Sequence, residues 1–107
     1  MSMVIVETSV FTRRVQELLT DEEYRTLQAG LVNRPRAGPV IAGSGGLRKL
    51  RWPLPGRGKR GGVRVIYYYA EKQEQLLMLF IYPKNVCDDL SAAQLRILRQ
   101  IVKGEFP

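Results

Sequence analysis

The chain has 107 residues, with 17 lysines and arginines against 10 aspartates and glutamates and a net charge of +7. Its length suits one small domain with a single core, and its charge points to nucleic acid, an anionic surface or an acidic protein partner. The sequence contains no histidine, which excludes Ser-His-Asp and Cys-His triads, paired-histidine nuclease chemistry and most zinc sites, so catalysis must run on Lys, Arg, Tyr and a few carboxylates.

Residues 3 to 8, MVIVET, are β-branched and apolar enough for a first strand, and Ser9 is placed to cap the helix that follows. From Val10 to Leu19 the apolar residues Phe11, Val15, Leu18 and Leu19 fall at i, i+4, i+7 and i+8, which is one helix face. Thr20 with Glu23 three residues on forms a capping box, so a second helix starts at Asp21 and buries Tyr24, Leu27 and Leu31. It stops before Pro35, because a residue preceding proline is driven out of the helical region. The pair reads as a hairpin with Arg13, Arg14 and Arg25 on its wet side.

Gly38-Pro39 opens a loop through Gly46, after which LRKLRW reads as a strand. Leu47, Lys49 and Arg51 fall on one of its faces and Arg48, Leu50 and Trp52 on the other. Residues 53 to 62 hold two prolines and four glycines and form a flexible basic connection. VRVIYYYA is a third strand; beyond the turn EKQEQ, LLMLFIY is apolar throughout and so is a central strand buried on both faces. Ser91 with Gln94 caps a last helix that buries Leu95, Leu98 and Val102 and ends near Gly104. The fold class is α+β, ordered β-α-α-β-β-β-α: a small antiparallel twisted sheet with the first strand at one edge, an N-terminal helical hairpin and a C-terminal helix, in one domain spanning 1–107. The helices are expected on one sheet face and a basic concave surface on the other.

Between Glu23 and Glu71 there is no acidic residue, while ten basic ones occur: Arg25, Arg34, Arg36, Arg48, Lys49, Arg51, Arg57, Lys59, Arg60 and Arg64. Such a run suits a polyanion, since Arg and Lys release condensed counterions from phosphates. GRGKRGG lacks the spacing of a nucleotide-binding P-loop; its glycines would let Arg57, Lys59 and Arg60 grip an RNA backbone instead. The single Cys87 cannot form an internal disulfide, in keeping with a reducing compartment, and reads as a small buried or half-buried thiol. No stretch approaches 18 apolar residues, and MSMVIVETS lacks a basic segment followed by an apolar core, so a cytoplasmic protein with no membrane partner is expected.

The ordered set GSGGLRKLRW, GRGKRGGVRVIYYY, IYPKN and DDLS, with DEEY and the NRP helix end, resembles the HigB-like branch of the RelE/ParE toxin superfamily over nearly the whole chain. The resemblance implies a RelE-like fold and the toxin of a type II toxin–antitoxin module. It further implies a metal-independent endoribonuclease that cuts mRNA in the ribosomal A site, has no cofactor, and is silenced by a cognate antitoxin. That antitoxin is expected to be acidic and to carry a helix-turn-helix, so that operator DNA is reached only through it. The family's basic pair corresponds to Lys49 and Arg51, its strand arginine to Arg64, and the lysine after its last strand to Lys84. Two positions depart from the pattern: Asn85 stands where a second arginine is usual, and no tyrosine follows in DDLSAAQ.

Metal-free RNA cleavage uses the 2′-OH as nucleophile on the adjacent phosphorus. Arg64, assisted by Arg51, suits the phosphorane charge, because a guanidinium stays protonated and its planar fork holds two oxygens. Lys49 or Lys84 is the base and the other the proton donor or phosphate clamp, with Tyr82 a further candidate for proton transfer or stacking. Arg48 extends the RNA- and ribosome-binding surface, and Tyr68 either stacks a base or packs in the core. Two other functions fit the same composition: a ParE-like, non-nucleolytic inhibitor of DNA gyrase, and a plain RNA-binding module.

Overall fold

The computed structural model describes residues 2–56, 61–87 and 89–106. Its elements are strand β1 (Val4–Glu7), helices α1 (Ser9–Leu18) and α2 (Asp21–Asn33), strands β2 (Arg48–Trp52), β3 (Val63–Ala70) and β4 (Gln75–Pro83), and helix α3 (Ala92–Glu105). Side chains set the helix starts. Thr8, one residue ahead of the expected Ser9, accepts the Phe11 N–H and caps α1. The capping boxes Thr20/Glu23 and Ser91/Gln94 both close.

The strands are ordered β1-β4-β3-β2. β2, β3 and β4 pair antiparallel as expected, and β1 adds at the far edge parallel to β4, which makes the sheet mixed. In β4, Leu79 is an extra residue between Met78, opposite Tyr67, and Phe80, opposite Ile66. This bulge resets the alternation. As a result Leu76, Met78 and Ile81 serve one face, while Leu77, Leu79, Phe80 and Tyr82 serve the other.

The helices do not share one face. α1 and α2 bury Phe11, Val15, Leu27 and Leu31 against Val65, Tyr67 and Met78. On the opposite face α3 lays Leu98 and Val102 over Leu47, Ile66, Leu77 and Leu79. The cause is the central strand itself: with apolar side chains on both faces, β4 needs two covers, and the stripe of α3 is the second. Each such side chain, fully buried, contributes roughly 1.5–3 kcal/mol of transfer free energy.

Two braces hold the chain between α2 and β2. The Tyr67 hydroxyl donates to the Pro35 carbonyl at 2.7 Å and accepts the Gly38 N–H at 2.9 Å. Farther on, the loop from Ile41 to Leu47 is closed by Ile41 N–H to Leu47 O at 2.8 Å and by the Ser44 hydroxyl donating to Ile41 O at 2.6 Å. No helix among the described residues is long and apolar enough to cross a membrane.

Candidate active site

The register of the sheet builds a cationic row. Arg51 on β2 lies directly opposite Arg64 on β3, which lies opposite Tyr82 on β4. Two rows along, on the same face, Lys49 is opposite Ile66, and Ile66 is opposite Phe80. Strand alternation puts Lys49 and Arg51 on the side of Leu47, and Arg64 on the side of Ile66, which is the face covered by α3. Directly opposed side chains on neighbouring strands have Cβ atoms about 4.5–5.5 Å apart, and like charges so placed repel. Arg64 is only 8% exposed, whereas Arg51 opens to solvent. The Arg64 Nε is buried and makes no hydrogen bond among the described residues. A buried guanidinium in this condition costs free energy unless an anion joins it.

One carboxylate does reach the cluster. The connection between β4 and α3 folds back so that Asp89 accepts a hydrogen bond and ion pair from Lys49 Nζ. The lysine side chain is 13% exposed and the aspartate 72%. Lys49, and after it Arg51 and Arg64, hold the Asp89 carboxyl below the usual aspartate range. The purely basic surface expected from the acid-free interval therefore changes: one acid, from outside that interval, joins three bases.

Tyr82, 2% exposed, closes the row. Burial, then the neighbouring Cys87 and Asp89, push its phenol up to about 12, against the opposing charges of Arg64 and Arg51. At neutral pH it is a proton donor, not a base. Lys84 stands one residue beyond β4; its backbone N–H donates to the Gly62 carbonyl at 3.0 Å, at the same end of the sheet as the Arg51–Arg64–Tyr82 row.

The remaining candidates divide. Arg48 faces the other side, where its Nη1 donates to the Gly38 carbonyl at 2.8 Å and, at 3.4 Å, to that of Arg36; it braces the α2–β2 connection. Tyr68 shares the α3 face but lies farther down β3, with its ring centroid 6.0 Å from that of Phe106, and serves packing. Arg57, Lys59 and Arg60 lie outside the described residues. Arg36 is drawn away to Glu71 at 2.5 Å, so the described bases of the acid-free interval do not form one surface. Among the described residues no three His, Cys, Asp or Glu side chains come together as a metal site. Sequence reasoning missed Asp89 as a site residue; its only signal was a place two residues before the Ser91 cap.

A family model described as "RelE toxin of RelE / RelB toxin-antitoxin system" matches residues 3–106. Among solved structures, the intact E. coli RelBE toxin–antitoxin complex contains a chain with TM-score 0.59 and 13% identity, covering 77% of this chain and 96% of that one. A double arginine-to-alanine mutant of the E. coli toxin RelE in the free state gives TM-score 0.60 at 13% identity, covering 95% and 98%. The isolated E. coli RelE toxin gives 0.58 at 12%, covering 94% and 99%.

Proposed function

The chain belongs to the RelE toxin family of RelE/RelB toxin–antitoxin systems, and from that premise we propose that it is a HigB-like, ribosome-dependent endoribonuclease that cuts mRNA in the A site by metal-independent 2′-OH attack. The observation that carries the reading is the opposed Arg51–Arg64 pair, one member of which is buried with its Nε lacking a hydrogen bond to any described residue. A phosphodiester seated there relieves the repulsion between the two guanidinium groups. In the transition state, as the 2′-oxygen bonds to phosphorus, the same groups take up the extra charge on the non-bridging oxygens.

Lys49 already donates to a carboxylate and is suited to donate to a phosphate oxygen in its place, so it is the clamp. Lys84, acting as the neutral amine, receives the 2′-OH proton and becomes the ammonium. The neutral phenol of Tyr82 returns a proton to the departing 5′-oxygen, and the products are a 2′,3′-cyclic phosphate and a 5′-hydroxyl. Arg57, Lys59 and Arg60 grip the RNA or ribosomal backbone. Substrate entry replaces one anion by another, since Asp89 occupies part of the seat that the phosphate takes.

A cognate acidic antitoxin is the natural inhibitor of such a site, by charge complementarity with the cationic face. Primer extension on a defined message in a translating lysate checks the reading. Cuts within codons, seen only when ribosomes and the purified protein are both present, are the expected result. An intact message together with inhibited DNA supercoiling would instead select the gyrase inhibitor.

A further inference from the structure

A second cationic feature lies beside the row. α3 runs over the sheet with the closed Ile41–Leu47 loop along one flank, and between them is a cleft of about 280 Å³ lined by Ala42, Gly43, Ser44, Leu95, Arg96 and Arg99. Arg96 and Arg99 are exposed and form no ion pair or hydrogen bond with any described residue. Arg99 packs against the loop. It lies so close over Gly45 that a Cβ there would come within 2.5 Å of its Nε. The opposing wall is fixed, because Ser44 is 3% exposed, its hydroxyl is tied to Ile41, and Gly43, Gly45 and Gly46 hold the left-handed φ values that close the loop.

The cleft sets two guanidinium groups opposite side-chain-poor backbone. Its position relative to the row follows from helix geometry. Asp89, which sits on Lys49, is two residues before the α3 cap Ser91. Arg96 and Arg99 are then displaced from Ser91 by about 8 and 12 Å along the axis, at 1.5 Å per residue. An extended single strand seated on the Arg51–Arg64 pair and following α3 toward its C-terminus would carry a flanking phosphate to the cleft.

We propose that the cleft between the Ile41–Leu47 loop and α3 is a second phosphate subsite, in which Arg96 and Arg99 hold the backbone of single-stranded RNA flanking the scissile bond. Planar guanidinium forks suit phosphate oxygens, and backbone without side chains admits a phosphodiester closely. This deepens the ribonuclease reading and rests on it. An acidic peptide is the competing occupant.

The probe is a set of 2′-O-methylated oligoribonucleotides of two to eight nucleotides, which bind but cannot be cut, followed by fluorescence anisotropy over a range of salt. For the wild type, affinity should rise with length and then level off. Arg96→Gln/Arg99→Gln should lose that rise, about tenfold in Kd, and the slope of log Kd against log salt should fall by about 0.7 for one single-strand phosphate. Ala42→Glu, which places a carboxylate in the cleft while leaving Arg99 on Gly45, should do the same. Arg64→Gln separates the two levels of the argument. If it weakens binding at every length while the cleft variants match wild type, the subsite is overturned and the central site stands; if no variant changes binding, both fall. Cleft variants that keep RNA affinity and lose affinity for the co-encoded antitoxin overturn the proposal in favour of a protein contact.

Discussion

Lys49 of β2 and Asp89, 40 residues later, form an ion pair that joins the edge of the sheet to the connection entering α3. The pair puts a carboxylate among three cations. Under the proposed reading, substrate entry exchanges one anion for another, and the consequences are measurable.

Asp89→Asn removes the competing charge and keeps the shape. KM for ribosome-dependent cleavage should fall about two- to fivefold, the range covered by an exposed ion pair, with kcat little changed. A large fall in kcat would make Asp89 a participant in the chemistry rather than an occupant of the phosphate seat.

The titration of Asp89 has a definite sign. Its carboxyl is lowered from 3.8 in the folded chain, chiefly by Lys49. A depressed carboxyl contributes stability at pH values above its unfolded titration, and that contribution is lost as pH falls through the folded value. Side-chain carboxyl NMR should place the Asp89 midpoint below 3.8 in the wild type. In Lys49→Met the midpoint should move up, leaving only the weaker pull of Arg51 and Arg64.

Arg64→Met separates stability from activity. Arg64 is buried and opposes Arg51, so an apolar side chain of similar length should leave Tm unchanged or raise it. Cleavage should drop on the order of 100- to 1000-fold, as for loss of one transition-state donor. Equal losses of Tm and rate would make the arginine structural.

Tyr67→Phe probes the opposite face. It removes a hydroxyl that both donates to Pro35 O and accepts from Gly38 N–H. Leaving these buried groups without a partner should cost about 1–3 kcal/mol, read by urea denaturation, with the active site otherwise unaltered.

Local signals carried most of the fold. Thr20/Glu23, Ser91/Gln94 and the proline after Arg34 fixed helix ends, because capping and proline sterics act within four residues. Alternation in LRKLRW placed Lys49 and Arg51 on a different face from Arg48, which turned out to brace Gly38 and Arg36. The antiparallel pairing of β2, β3 and β4 was legible, but other long-range contacts were not. The parallel joining of β1 to β4, the bulge at Leu79, the docking of α3 on the second face and the reach of Asp89 back to Lys49 all depend on how distant segments meet. Asp89 is polar and stands outside any periodic pattern, so nothing in its neighbourhood announced a site 40 residues away.

The most direct measurement is cleavage of a ribosome-bound message carrying a single 2′-O-methyl group at the nucleotide preceding the cut. With the nucleophile blocked, cleavage there should vanish while the unmodified message yields 2′,3′-cyclic phosphate and 5′-hydroxyl ends. Undiminished cutting of the blocked message, or ends of the opposite chemistry, would contradict attack by the 2′-OH across the Arg51–Arg64 pair.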